Sequence, residues 1–246
     1  MQRFYITNVG PGKTAEITDA TQVHHLRDVL RLKAGDKIAI FDDSGVEYAG
    51  TIRALDRKHV EINIESAQPV ETGGKPKLTI ACSIPKKAKM DDIIDKLTQL
   101  GVDVIIPLAT ERGMVKIGEE DAARYTRWRK IALNAAEQSR RSQLPRISPV
   151  TSLPDLLTAV EDYDLKLIPT LTGVTRPLRE VVTGTKAVNV LVLIGPEGDF
   201  SPAEVDLALA QGFIAVSLGQ TVLRVETAAV AVASFIRLTY FSQSPI

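Results

Sequence analysis

Two glycine-containing loops near the carboxyl end of the sequence hold the residue types best suited to binding a small molecule. They lie in residues 191–200 (LVLIGPEGDF) and 216–228 (VSLGQTVLRVETA). Each segment is an apolar run followed by a glycine turn and a helix start, and glycine leaves backbone N–H and C=O groups open to a ligand. Because the carboxyl ends of parallel strands share one edge of a sheet, the two loops are predicted to wall one ligand site there.

The first loop also has a purely structural interpretation. Ser201, Pro202 and Glu204 match a capping box with proline at the first helical position. A strand–turn–helix junction of this sequence needs no ligand, so the loop alone leaves both interpretations open. Its glycine spacing fits neither a P-loop nor a dinucleotide-binding motif, which argues against binding of a nucleoside triphosphate.

The second loop contributes two charged side chains. Arg224 and Glu226 lie between an apolar strand and a long apolar helix, where an unpaired charge would be costly. Glu226 is therefore expected either to form an ion pair at the start of that helix, where the dipole favours a carboxylate, or to take part in catalysis. The structural explanation is weaker for Arg224, which is the first candidate for a catalytic group.

Hydrophobic periodicity predicts the elements that position these loops. From residue 77 onward, strands alternate with helices, which indicates an α/β fold with a mostly parallel sheet covered by helices on both faces. The predicted strands are 77–84, 102–108, 164–168, 188–194 and 214–218, and the predicted helices are 90–100, 120–141, 154–160, 202–211 and 226–241.

The first 68 residues have a different pattern. Short runs of β-branched and aromatic residues at 3–6, 37–41, 48–52 and 60–64 predict a small β-barrel. One helix capped by Asp19 or Thr21 and a hairpin turn at 42–45 complete this prediction. Residues 68–76 (QPVETGGKP) have two prolines and two glycines without apolar periodicity, which is typical of a linker. Two domains, 1–68 and 77–246, are therefore expected.

Composition limits the classes of function. The 246 residues are 44% hydrophobic and 24% charged with a formal net charge of zero, which is ordinary for a globular protein. No apolar run approaches the ~20 residues needed to span a bilayer and the start has no signal-peptide pattern, so a cytoplasmic location is expected. Cys82 is the single cysteine and the histidines are 24, 25 and 59, so neither a disulfide nor a metal site is predicted.

Basic residues are clustered even though the net charge is zero. Residues 124–146 hold seven basic side chains and one acid, a local charge of +6. Such clusters are either solvated helix faces or a surface that binds RNA phosphates. The residues predicted to contact RNA are Arg3, Arg27, Arg31, Lys86, Lys89, Arg112, Arg140 and Arg141.

The two loops and several other segments together resemble one known family. Residues 195–198 (GPEG), 218–219 (LG) and 223–228 (LRVETA) resemble the cofactor-binding motifs of the SPOUT-class RNA methyltransferases. Further similar segments, which extend the resemblance across nearly the whole chain, are 25–31, 96–102, 110–112 and 136–140. The match is to the RsmE type, which methylates N3 of a uridine in 16S ribosomal RNA. Asp199 departs from the pattern because that family usually has glycine there, although aspartate tolerates left-handed backbone better than most residues.

The resemblance implies a PUA-like barrel at the amino-terminal end, a deep trefoil knot in the SPOUT domain, an obligate homodimer, and S-adenosylmethionine as methyl donor. It also implies a cofactor pocket formed by Thr170, Ile194, Gly195, Pro196, Glu197, Gly198, Leu218, Gly219, Val222, Leu223, Arg224 and Thr227.

Methylation at N3 requires a uracil that has lost its N3 proton. Arg224 is expected to stabilise the uridine anion, with Glu197 or Glu226 as proton acceptor or positioning group. Two alternatives stay open: a methyltransferase of the same fold acting on 23S ribosomal RNA or transfer RNA, and a non-catalytic RNA-binding protein of ribosome assembly.

Overall fold

The computed structural model describes residues 1–7, 9, 13–70, 75–85, 89–113 and 122–241. The chain forms two compact units. The first unit comprises Met1–Thr72 and Ala136–Leu144, and the second comprises Gly73–Ala135 and Pro145–Ile246.

The first unit is built on a five-stranded mixed sheet in the order β1-β3-β4-β5-β2. Its strands are β1 (Gln2–Tyr5), β2 (Thr14–Ile17), β3 (Lys37–Phe41), β4 (Val46–Leu55) and β5 (Val60–Pro69). The pairing of β1 with β3 is parallel, and the remaining pairings are antiparallel. Four strands were predicted from the sequence, whereas β2 was missed and β5 extends through 65–69, into the start of the predicted linker. The rest of that linker includes residues outside the described ranges.

The helix of the first unit begins where its capping residue predicts. The Asp19 side chain accepts a hydrogen bond from the backbone N–H of Gln22 and so caps α1 (Ala20–His24), which continues into one π-helical turn, His25–Val29. Val23 and Leu26 from this segment are fully buried against the apolar face of the sheet. Burial of this face stabilises the unit by the hydrophobic effect.

Residues 136–144 contribute a half-buried carboxylate to the first unit. The Oε1 atom of Glu137 accepts hydrogen bonds from the backbone N–H of Tyr5 at 3.0 Å and from Nε2 of Gln22 at 3.2 Å. Burial raises the pKa of Glu137, and the Tyr5 hydrogen bond only partly opposes this. The segment is thus fixed to the sheet by polar contacts that no local sequence pattern reveals.

The second unit contains an eight-stranded sheet in which every pairing is parallel. The strand order is β11-β13-β10-β12-β6-β7-β8, with β9 also paired to β7. The strands are β6 (Lys77–Ser83), β7 (Val104–Ala109), β8 (Arg146–Ile147), β9 (Thr151–Ser152), β10 (Leu165–Pro169), β11 (Arg176–Pro177), β12 (Asn189–Ile194) and β13 (Ile214–Ser217). The helices are α2 (Lys89–Gln99), α3 (Ala122–Gln138), α4 (Leu153–Leu157), α5 (Leu178–Thr183), α6 (Pro202–Ala210) and α7 (Val225–Phe241).

Helices cover both faces of this sheet. Alternate side chains of β12 belong to different clusters: Val192 packs with α2 and α7, and Leu193 packs with α4 and α6. This arrangement confirms the predicted α/β class with a parallel sheet. The elements missed by the prediction are short: β8, β9, β11 and α5 have two to six residues, too few for a periodic signal. The trefoil knot stays a prediction.

A buried arginine holds α7 to the edge of the central strands. Arg237 donates to the carbonyl of Pro76 at 2.7 Å, to Asp103 at 2.6 Å, and to the carbonyl of Gly101. The side chain of Arg237 is only 7% exposed, and such a charge is tolerated because carboxylate and carbonyl acceptors surround it. This anchoring fixes the helix whose first residue, Val225, lies at the site described next.

Candidate cofactor cleft and basic surfaces

The cleft forms where three neighbouring parallel strands end. β10 lies between β12 and β13 in the sheet, and these strands end at Pro169, Ile194 and Ser217. Their carboxyl ends face the same edge, so the loops that follow them converge. The sequence predicted that the two glycine loops share a site, and the structure places them there with the loop after β10 between them.

The converging loops form a cleft that is partly open to solvent, with a cavity volume of about 80 Å³. Nine of the predicted cofactor residues line it: Thr170, Ile194, Gly195, Pro196, Glu197, Leu218, Gly219, Val222 and Leu223. Gly198, Arg224 and Thr227 lie in the same loops without lining the cleft.

Sequence reasoning missed several lining residues, namely Pro169, Leu171, Ser217, Thr221, Val225 and Ala228. Pro169 and Ser217 are the last residues of their strands, so their position at a sheet edge was a usable signal. Leu171 follows β10 in a loop that contains Gly173, and its side chain is 63% exposed. No apolar periodicity around Leu171 marked it as a lining residue.

The chemical character of the cleft is acidic and rich in backbone groups. The charged residues that line it are Glu197 and Asp199. In the described part of the chain, the backbone N–H groups of Leu218 and Leu223 make no hydrogen bond. A ligand with a positive charge and with hydrogen-bond acceptors, such as ring nitrogens, would be complementary to this wall.

Gly195 is needed for the close approach of two parts of one loop. A Cβ atom at this position would lie 2.9 Å from the ring of Phe200 and 3.3 Å from its backbone nitrogen. Phe200 is 1% exposed and packs in the core beneath the cleft. The glycine therefore permits a turn that a larger residue would displace.

The predicted capping box is confirmed at the end of the same loop. Ser201 Oγ accepts from the backbone N–H of Glu204 at 3.3 Å, and Glu204 Oε2 accepts from the backbone N–H of Ser201 at 2.9 Å. The other oxygen of Glu204 accepts from the backbone N–H of Glu111 at 2.8 Å. The structural and ligand-binding interpretations of this loop are thus compatible, since the box fixes the helix start and the preceding turn lines the cleft.

Arg112, which is predicted to contact RNA, also supports the first loop. Its Nη1 donates to the carbonyl of Gly198 at 2.8 Å and, more weakly, to the carbonyl of Phe200 at 3.4 Å. These contacts orient two backbone carbonyls beside the cleft. No local pattern predicts this pairing, because Arg112 and Gly198 are 86 positions apart.

The two charged residues of the second loop have different surroundings. Glu226 Oε1 accepts from Lys89 Nζ at 2.8 Å, and its Oε2 atom is buried without a hydrogen-bonding partner among the described residues. Burial acts to raise the pKa of Glu226, but the hydrogen bond from Lys89 and its charge lower it overall. Arg224 is exposed at the amino-terminal end of α7, and its charge also helps to lower the pKa of Glu226.

The residues predicted to bind RNA differ in how exposed their side chains are. The Arg3 side chain is 7% exposed, bonds to Glu47 at 2.8 Å and to Ser142 at 2.6 Å, and lies over the ring of Phe41. Burial lowers the pKa of Arg3, while Glu47 opposes this. Its charge is therefore used inside the first unit.

The remaining residues predicted to bind RNA differ in exposure and in ion pairing. Arg27 donates twice to Asp28, at 2.8 and 2.6 Å, which neutralises much of its charge locally. Arg31 and Arg140 are exposed and make no ion pair within the described ranges. Arg141 is half-buried. Lys86 lies outside the described residues.

This fold and this cleft are those of an RNA methyltransferase. The RNA methyltransferase domain family matches residues 74–237, and the RNA methyltransferase PUA domain family matches residues 17–65. The chain belongs to the RNA methyltransferase family, which confirms the resemblance read from the sequence. Among its relatives is the ribosomal RNA small subunit methyltransferase E of Bacillus subtilis, 31% identical over 93% of both chains.

Solved structures agree with this assignment. A crystal structure of a ribosomal RNA small subunit methyltransferase E from Neisseria gonorrhoeae bound to S-adenosyl methionine has a TM-score of 0.86 and 29% identity, and covers 98% of each chain. A Legionella pneumophila protein in complex with the bound cofactor SAM has a TM-score of 0.85 and 32% identity, and covers 96% of each chain. Both neighbours span the two units of the present chain.

Within the described ranges, no group of three or more His, Cys, Asp or Glu side chains could hold a metal ion. No helix in those ranges is long and apolar enough to cross a membrane.

Proposed function

We propose that this protein transfers a methyl group from S-adenosylmethionine to N3 of a uridine in the 16S ribosomal RNA of the small subunit. The observation that carries the proposal is the cleft at the ends of β10, β12 and β13, in a chain of the RNA methyltransferase family. Relatives named ribosomal RNA small subunit methyltransferase E support the choice of RNA.

The cleft fits S-adenosylmethionine by charge and hydrogen bonding. This cofactor supplies a methyl group bound to a positively charged sulfur, which suits a wall that carries the exposed carboxylate of Glu197. The backbone N–H groups of Leu218 and Leu223 are available to acceptor atoms of an adenine ring. The apolar side chains of Ile194, Leu218 and Val225 are placed to cover such a ring.

Arg224 is the group we assign to the uridine. Its exposed guanidinium leaves the second loop next to the lining residues Leu223 and Val225. A guanidinium beside a uracil carbonyl stabilises the negative charge that forms when N3 loses its proton, without taking that proton. Its charge helps to lower the pKa of Glu226, and its exposure leaves the guanidinium accessible to the substrate.

Glu197 is better placed than Glu226 to accept the N3 proton. Glu197 lines the cleft and is exposed, so a nucleotide can reach it. Glu226 is bonded to Lys89, and its pKa is lowered, which weakens it as a base. We therefore assign Glu226 to holding α7 against the start of α2.

The proposal also includes features implied by family resemblance. The protein is proposed to act in the cytoplasm as a homodimer and to contain the trefoil knot within residues 77–246. Residues 1–68 are proposed to form the RNA-binding PUA-like domain. The match of the PUA domain family to residues 17–65 supports this role.

The decisive experiment measures methyl transfer from labelled S-adenosylmethionine to RNA that lacks the modification. Unmodified 30S subunits and naked 16S ribosomal RNA are compared, with 23S ribosomal RNA and transfer RNA as controls. We expect incorporation into small-subunit RNA only, with mass spectrometry identifying N3-methyluridine. Methylation of a control RNA would show that the substrate is that RNA. Cofactor binding without any transfer would favour a non-catalytic role.

Charge reversal at Arg140 tests the RNA-binding surface of the first unit. Arg140 is exposed and unpaired among described residues, so Arg140→Glu removes a phosphate contact and adds repulsion. We expect RNA affinity to fall about 10-fold and the salt dependence to become shallower by about one unit of slope. Binding is measured by filter retention across a salt series.

A matched control separates a specific contact from general electrostatics. Lys186 is an exposed lysine of the second unit outside the predicted RNA-binding set, and Lys186→Glu makes the same change in net charge. Equal loss of affinity in both variants would show that Arg140 makes no special contact. Cofactor affinity should stay unchanged in both variants.

A further inference from the structure

We propose that Asp199 is a positioning residue that joins two walls of the cleft and so sets the affinity for the methyl donor, an inference that rests on the proposed function. Asp199 lies in the loop after β12, with a φ of 60°. Its backbone N–H donates to the carbonyl of Pro196 at 3.0 Å, which closes the turn. The side chain is thereby directed toward the neighbouring loop after β10.

The carboxylate of Asp199 makes three hydrogen bonds. Its Oδ2 atom accepts from Thr170 Oγ1 at 2.9 Å and from the backbone N–H of Leu171 at 2.8 Å. Its Oδ1 atom accepts from the backbone N–H of Phe200 at 2.8 Å. Hydrogen bonds to a charged acceptor are stronger than neutral ones, so one side chain ties the loop after β10 to the loop after β12.

The same contact reaches the third wall of the cleft. Thr170 is 7% exposed, and its backbone N–H donates to the carbonyl of Val216 in β13 at 3.2 Å. Thr170 is thus held on one side by β13 and on the other by Asp199. Leu171, whose side chain is exposed and lines the cleft, has its backbone fixed only 2.8 Å from the carboxylate.

Removal of the carboxylate should therefore weaken binding of the cofactor and leave the rate of methyl transfer little changed. Asp199→Gly keeps the positive φ without strain and deletes all three bonds. We expect the Kd for S-adenosylmethionine and the KM for it to rise about 10-fold, with kcat at saturating cofactor changed less than about twofold. Calorimetry and steady-state kinetics measure the two effects.

A conservative substitution at Asp199 is expected to retain most of the cofactor affinity. Asp199→Asn tolerates the same φ and retains a carbonyl oxygen that accepts from Thr170 and Leu171. We expect its Kd to stay within about threefold of the unmodified protein. An Asn variant as weak as the Gly variant would overturn the positioning role and indicate that the negative charge itself binds the ligand.

Asp164 supplies a matched control at the opposite end of the same strands. Its Oδ2 atom accepts from the backbone N–H groups of Val188 and Asn189 at 2.9 and 2.7 Å, where β10 and β12 begin. Asp164→Gly should lower the melting temperature without raising the Kd for S-adenosylmethionine. An equal rise of Kd in both variants would make the effect of Asp199 one of general stability and would overturn the proposal.

Amide hydrogen exchange separates this inference from the function on which it rests. The Leu171 amide should exchange faster in Asp199→Gly than in the unmodified protein and return toward its original rate in Asp199→Asn. This readout needs no cofactor. Failure of the unmodified protein to bind S-adenosylmethionine would refute the proposed function alone, whereas unchanged Leu171 exchange in Asp199→Gly would refute the positioning role alone.

Discussion

Replacing Arg224 with alanine is expected to lower kcat for methyl transfer by about 10²- to 10³-fold, the usual loss when one donor to a developing anion is removed. The Kd for S-adenosylmethionine should change less than about threefold, because Arg224 does not line the cleft. Single-turnover transfer to 30S subunits and calorimetry measure the two quantities. The substitution leaves α7 intact, since its hydrogen bond to Ala228 uses only the backbone carbonyl of Arg224.

The conservative variant defines what the guanidinium contributes. Arg224→Lys keeps the positive charge but loses the planar fork of donors, so partial activity between that of alanine and arginine is expected. A higher pH should also recover part of the activity of Arg224→Ala, because it favours the N3 anion that the side chain otherwise stabilises. Near-normal kcat in Arg224→Ala with intact cofactor binding would remove this residue from the mechanism.

Local signals in the sequence predicted much of the fold. The capping box of Ser201 and Glu204 gave the start of α6, and Asp19 gave the start of α1, because caps depend on neighbours within one helical turn. Apolar runs predicted the long strands and the parallel sheet, since burial on both faces needs continuous apolar residues. Two-residue strands such as β9 were missed because so short a segment shows no hydrophobic periodicity.

Contacts between distant segments could not be predicted from local pattern. The sequence placed the two glycine loops at one edge, but the insertion of β10 between β12 and β13 is a property of strand order. Arg3 was predicted to contact RNA, and the ion pair that it forms with Glu47, 44 residues away, had no sign in the sequence. The bond between Asp199 and Leu171 likewise joins two loops that no spacing rule connects.

A comparison of two glycines in the first loop tests whether its turn shapes the cleft. Gly195→Ala places a Cβ atom 2.9 Å from the buried ring of Phe200, and no side-chain contact so short is tolerated without movement. Phe200 is packed on all sides, so the loop is the part that must shift. Overpacking of this kind costs about 1–3 kcal/mol, which corresponds to a fall in S-adenosylmethionine affinity of about 5- to 150-fold if the strain is relieved by the cleft wall.

Gly198→Ala is the matched control within the same motif. Its Cβ atom would meet nothing nearer than Arg112 Cδ at 3.7 Å, an ordinary van der Waals separation, so affinity should change less than about threefold. Melting temperature and cofactor Kd are measured for both variants. Equal affinity in the two would show that the close approach at Gly195 serves only the packing of Phe200. A selective loss in Gly195→Ala would show that the turn itself forms the binding wall, because the two substitutions add the same methyl group to one loop.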